Sequence, residues 1–156
     1  MGANLIFAFA LSHKTLGMEV SMAVSKIRAE FVKDVKEVWD IVTSLENYSW
    51  RSDISKIEVV DAGKKFVEVT KDGYRTEFRI TAFEQCKRYE FDMENDNMAG
   101  HWTGVFSYEN GVTTIDFTED VTAKKAFMKP FVKMYLKKQQ NTYINDLGKA
   151  LEQGTK

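Results

Sequence analysis

Residues 24–45 read VSKIRAEFVKDVKEVWDIVTSL, and the change of period inside this stretch sets the fold class. Ile27, Ala29 and Phe31 share one face and Lys26, Arg28 and Glu30 the other, so residues 24–32 read as a half-buried strand. Lys33-Asp34 breaks the alternation. Asp34 is a fitting N-cap with Glu37 three residues on as its capping-box partner. Val35, Val38, Trp39, Ile41 and Val42 then recur at helical spacing through about Leu45.

Downstream the period returns to two. Residues 47–53, NYSWRSD, form a turn-rich linker, and six strands are expected between Ile54 and Val121. They cover residues 54–61, 65–71, 74–84, 88–94, 101–109 and 112–121. Asp72-Gly73 and Asn110-Gly111 are strong hairpin turns, so the strands follow one another as an antiparallel meander. The last segment carries Met128, Val132, Leu136, Tyr143, Leu147 and Leu151 in one stripe, widened by Phe127, Phe131, Met134 and Tyr135. Pro130 fits only the first turn of such a helix. Residues 128–152 would span roughly 37 Å as a helix, against a radius of gyration of about 15 Å for a domain of this length. The helix therefore lies across the whole molecule.

This order gives an α+β protein. A curved antiparallel sheet of about seven strands is covered on one face by the short helix and the long C-terminal one. A straight rod on a curved sheet leaves space, which is either filled by large side chains or open as a cavity.

Composition removes several classes of function. The chain has 156 residues and a formal net charge of −1, which is one domain without the basic excess of a nucleic-acid binder. Its one cysteine, Cys86, excludes an internal disulfide and a multi-Cys metal knuckle; it reads as a plain turn thiol. His13 and His101 lie in different elements, so no metal site is expected, and no nucleotide-binding or H-E-x-x-H motif occurs. His101 reads by alternation as an exposed histidine. No nucleophile-elbow sequence precedes it.

The apolar run Leu5–Leu11 is too short to span a membrane and has no basic residue before it, so neither stable membrane insertion nor a signal peptide is expected. The expected location is the cytoplasm. Ile6 stands where a myristoylation motif wants Ser or Thr. Residues 1–21 are taken as an N-terminal extension that packs somewhere, and residues 22–156 as a single domain.

Three stretches carry a resemblance to a known family: Asp34-Val35-Lys36-Glu37-Val38-Trp39, Trp50-Arg51-Ser52-Asp53-Ile54 and Gly111-Val112-Thr113-Thr114-Ile115. With the order of elements, they make residues 24–153 resemble the START-like or SRPBCC superfamily. That group includes bacterial polyketide cyclase/dehydrase and lipid-transport proteins and the Bet v 1-like plant allergens. The resemblance implies the helix-grip fold and favours an open cavity. Its motifs are packing and turn motifs, which specify a fold better than a reaction.

The aromatic content of 13 % supplies a wall for such a cavity. Phe78, Tyr89, Phe91, Met93, Trp102, Phe106 and Phe117 from the strands, with Phe131, Met134 and Tyr135 from the helix, are the expected ligand-binding set, and the cavity is expected to measure a few hundred Å3. The catalytic candidates are Glu119 and Tyr89. Glu119 shares the phase of Ile115 and Phe117 and would point inward with a raised pKa. Its place near the strand end would instead release it to solvent, and that is the expectation. The phenols of Tyr89, Tyr108 and Tyr135 suit either a ligand or the rim of a core.

The function expected is binding or carriage of a small hydrophobic or amphipathic molecule, such as a lipid, polyketide or isoprenoid, without a cofactor, by a monomer or homodimer. Two alternatives stay open: a cyclase or aromatase on the same scaffold, and a protein-interaction module. The helix lysines also admit attraction to an anionic membrane surface.

Overall fold

The computed structural model describes residues 22–154. The expected N-terminal extension, residues 1–21, lies outside the described residues, and so does its packing.

Seven antiparallel strands form one sheet in the order β1-β7-β6-β5-β4-β3-β2. Strand β1 (Met22–Phe31) leads into α1 (Val35–Thr43); then come β2 (Ile54–Asp61), β3 (Lys65–Thr70), β4 (Arg75–Glu84), β5 (Arg88–Glu94), β6 (Met98–Glu109) and β7 (Val112–Ala123). A single 3-10 turn, Ala126–Met128, precedes α2 (Lys129–Gln153). The chain thus enters at one edge, crosses through α1 to the opposite edge, and meanders back until β7 pairs with β1. This is the helix-grip arrangement.

Local chemistry explains the elements. The Asp34 carboxylate accepts a hydrogen bond from the Lys36 N–H at 2.8 Å and caps α1. Between β6 and β7, Asn110 (φ 52°) and Gly111 (φ 80°) both take the left-handed conformation that a tight hairpin of right-twisted strands demands. Strands β6 and β7 run further than alternation indicates, starting at Met98 and ending at Ala123. Gly100 breaks the apolar signal at the start of β6, and Thr122-Ala123 weakens it at the end of β7.

Val38 and Trp39 are fully buried on the sheet. The Trp39 ring meets Phe106 at 4.9 Å and Phe83 at 5.2 Å between centroids, both edge-on. Leu147 and Leu151 of α2 join them, with Ile115 and Phe117, in the main core. A second cluster, Val121, Ala123, Val132 and Leu136, pins the N-terminal half of α2 to β7. Helix α2 packs chiefly against β1, β7 and α1. It sits toward one edge of the concave face, and this offset leaves the rest of that face uncovered.

Candidate functional site

The uncovered part of the concave face is a cavity of about 1060 Å3 between α2, the loop after α1 and strands β2 to β7. It is larger than expected from sequence, because the helix lies over the β1–β7 edge. The far strands therefore curl over empty space.

Most of the expected aromatics stand on its wall. Phe78, Tyr89, Phe91 and Met93 come from β4 and β5; Trp102 and Phe117 come from β6 and β7. The rings touch one another: Phe91 stacks on Trp102 at 4.8 Å with planes 3° apart, and Phe66, which sequence reading passed over, stacks on Phe78 at 4.8 Å. Phe131 and Tyr135 close the wall from α2 while remaining half-exposed at its mouth.

Two expectations need correction. Phe106 is 4 % exposed and wedged between Trp39 and Phe117, on the core side of the sheet and away from the cavity wall. Met134 is 68 % exposed and points to solvent, since it lies off the helix face that carries Phe131 and Tyr135.

Glu119 also departs from the expectation that it reaches solvent. Strand β7 continues four residues past it, so the alternation holds and the side chain turns inward, 9 % exposed on the cavity wall. Burial raises its pKa to about 7, against the opposing pull of the Gln140 hydrogen bond and of Arg51. Its Oε2 is the single buried side-chain nitrogen or oxygen without a partner among the described residues. Tyr89 is buried, and that burial, with the charge of Glu68, raises its phenol pKa.

A polar cluster with no counterpart in the sequence reading occupies the other side of the wall. Arg51 Nε and Nη2 donate to the two carboxylate oxygens of Asp53 at 2.9 and 2.8 Å, and Nη1 donates to Glu68 Oε1 at 3.0 Å. The guanidinium also lies 4.9 Å from the centre of the Tyr143 ring, a cation–π contact. Next door, the Ser52 N–H and hydroxyl both donate to Asp146 Oδ2, at 2.8 and 2.6 Å, tying the loop to α2. Gln140 is held by Ser25: its Oε1 accepts from the serine hydroxyl at 2.8 Å and its Nε2 donates to the Ser25 carbonyl at 3.0 Å.

A signal for this cluster existed. Glu68 shares the phase of Phe66 on β3, and Gln140 falls at the apolar helical spacing between Leu136 and Tyr143. A polar residue in an apolar phase is the mark of a buried polar group.

The remaining candidates lie elsewhere. His101 is on β6 facing away from the cavity, with Nδ1 2.8 Å from Asp92 Oδ1 and Nε2 3.3 Å from Glu90 Oε2. Cys86 sits in the β4–β5 turn at φ 60°. Tyr108 is half-exposed. Among the described residues, no group of three or more His, Cys, Asp or Glu is placed to hold a metal ion, and no helix is long and apolar enough to cross a membrane.

The family model for polyketide cyclase / dehydrase and lipid transport matches residues 23–152. The chain belongs to this family. Solved structures repeat its fold at low identity. A START superfamily protein from Mycobacterium smegmatis superposes with a TM-score of 0.77 at 13% identity, covering 85% of this chain and 99% of that one. XoxI from Bacillus cereus gives 0.69 at 14% identity, over 83% and 95% of the two chains. DynU16, a protein of the dynemicin biosynthetic locus, gives 0.65 at 15% identity, over 84% of this chain and 48% of that one. No curated protein matches the chain. At such identities the polyketide cyclase / lipid transport family shares a scaffold, and the occupant of the cavity has to be argued from this chain's own residues.

Proposed function

We propose that this protein binds and carries a small hydrophobic or amphipathic molecule in the cavity under α2. One observation carries the reading: an apolar, aromatic-walled space of about 1060 Å3 stays open beside a fully packed core. Water in such a space is poorly hydrogen-bonded, and an apolar guest that replaces it gains dispersion contacts with the rings. The volume suits a guest of about drug or lipid-tail size. An open cavity also speaks against the interaction-module alternative, since a module that works through its surface has no use for an open interior.

A second reading has its own support. Glu119 titrates near neutrality on the cavity wall, within the field of Arg51 and Glu68, and a carboxyl so tuned can take and return a proton. A cyclase-type enzyme would use it as the acid–base group, with the wall folding the substrate.

The binding reading is tested by titrating the neutral fluorophore N-phenyl-1-naphthylamine. Saturable one-to-one binding is expected, and Thr142→Phe, which adds a ring to the cavity wall on α2, should weaken it at least about tenfold. A fluorophore that does not bind, or that binds both proteins alike, contradicts the reading.

A further inference from the structure

The cavity is apolar over most of its surface, so its few polar groups decide which end of an amphipathic guest goes deep. Their valences can be followed one by one. The Arg51 guanidinium gives four hydrogen bonds to Asp53 and Glu68 and lies against the Tyr143 ring. Asp146 Oδ2 is taken by Ser52, and the Gln140 amide is held at both ends by Ser25, with its second N–H left for Glu119. Among the described residues, Glu119 alone stands on the wall with a buried, unpartnered oxygen.

We infer that the guest carries a hydrogen-bond donor, a hydroxyl or an amine, at the end that lies against Glu119, and that the cavity rejects carboxylate-ended molecules such as free fatty acids. This rests on the binding reading above.

Two arguments support it. The first is satisfaction: a buried carboxyl oxygen without a partner is costly, and a ligand donor removes that cost. A ligand that only accepts leaves the carboxylate unpaired. The second is charge. One guanidinium faces Asp53, Glu68 and, when ionised, Glu119, so the inner wall is net negative and repels an anion. Lys71 and Lys138 also line the cavity, but both are exposed, where water screens them. The groups that set the state of Glu119 are Arg51 from the loop, Glu68 from β3 and Gln140 from α2. Its pKa of about 7 leaves it mostly ionised at pH 8, where the discrimination is sharpest.

The test is competition against N-phenyl-1-naphthylamine at pH 8 with decan-1-ol, its isomer methyl nonyl ether, and decanoate. Decanol and the ether share a formula and differ in the donor. Decanol is expected to displace the fluorophore at least about tenfold more tightly than either competitor. Glu119→Leu should bring decanol and the ether within about twofold. Glu119→Gln, which removes the charge and brings an N–H2 donor to the wall, should narrow the preference for decanol over the ether and admit decanoate. If Glu119→Leu does not fold, the gain of decanoate binding by Glu119→Gln carries the test. Equal displacement by all three compounds, or a donor preference that survives Glu119→Leu, overturns the inference while the cavity still binds. A fluorophore that never binds the parent overturns the binding reading, and this inference with it.

Discussion

The guanidinium of Arg51 lies 4.9 Å from the ring centre of Tyr143, in α2, while its nitrogens fork onto Asp53 and Glu68. One side chain therefore joins the loop after α1, strand β3 and the long helix around the cavity. Its side chain is only 12 % exposed, so removing it strands two carboxylates in a poorly solvated place. Arg51→Met should cost about 3–5 kcal/mol, read as a loss of roughly 10 °C or more in melting temperature. Arg51→Lys should recover only part of this, because an ammonium cannot fork.

The same contact gives an acid limb. Burial alone would raise the pKa of Asp53, but the hydrogen bond and charge of Arg51 outweigh it and hold the carboxyl below its ordinary value. A carboxyl with a depressed folded pKa stabilises above its unfolded pKa, and that contribution is lost as pH falls through the folded one. Asp53→Asn should therefore flatten the fall in stability below about pH 4, as measured by urea denaturation from pH 2 to 6.

Glu119 has the opposite sign. Its folded pKa, about 7, lies above the ordinary 4.5. The folded protein holds the proton more tightly, so this contribution is complete below the unfolded pKa and disappears as pH rises through the folded one. At most it amounts to about 3 kcal/mol. Glu119→Gln should be more stable than the parent at pH 8, and the difference should shrink toward pH 5. A stability difference that does not change between these pH values would rule out a buried, near-neutral carboxyl.

Gly104 makes room for the wall. A Cβ there would stand 2.3 Å from Trp102 Cη2 and 3.2 Å from Phe117 Cε1. Gly104→Ala should push the indole off Phe91, cost about 1–3 kcal/mol, and change the tryptophan fluorescence. A variant with parental stability and emission would show that the indole does not lie over Gly104.

Phe106 and Phe131 separate core from wall. Phe106→Ala should cost about 3–5 kcal/mol, as for any packed aromatic. Phe131, 61 % exposed at the cavity mouth, should cost far less when truncated, because part of its contact shell is already absent. Its loss should appear in fluorophore affinity instead. Equal destabilisation by both substitutions would contradict the distinction.

The sheet and helices were legible because alternation and helical spacing are local. Val38-Trp39, the Asn110-Gly111 turn and the stripe through Leu136 and Leu147 each announce their place within a few residues. The site was legible only where it follows the same periods, as for Phe78, Tyr89 and Trp102. Two things were not. Alternation says which face a residue takes and nothing about what covers that face, so Phe106 and Phe117 look alike in sequence although only Phe117 meets the cavity. The offset of α2 toward β1 and β7, which sets the cavity's size, depends on long-range packing such as Gln140 with Ser25, 115 positions apart. Glu119 turned on the length of β7: two more inward positions, Val121 and Ala123, keep it inside.

The central claim is that the space under α2 is a binding site for an apolar guest, and mapping the guest onto the protein tests it most directly. Two-dimensional NMR of uniformly 15N-labelled protein, titrated with N-phenyl-1-naphthylamine, should move the amides of Phe91, Trp102, Glu119, Tyr135 and Tyr143 together, saturating at one equivalent. The amides of His101 and Asp116, whose side chains point away from the cavity, should stay near their starting positions. Shifts spread over the surface without saturation, or no shifts at all, would contradict the account.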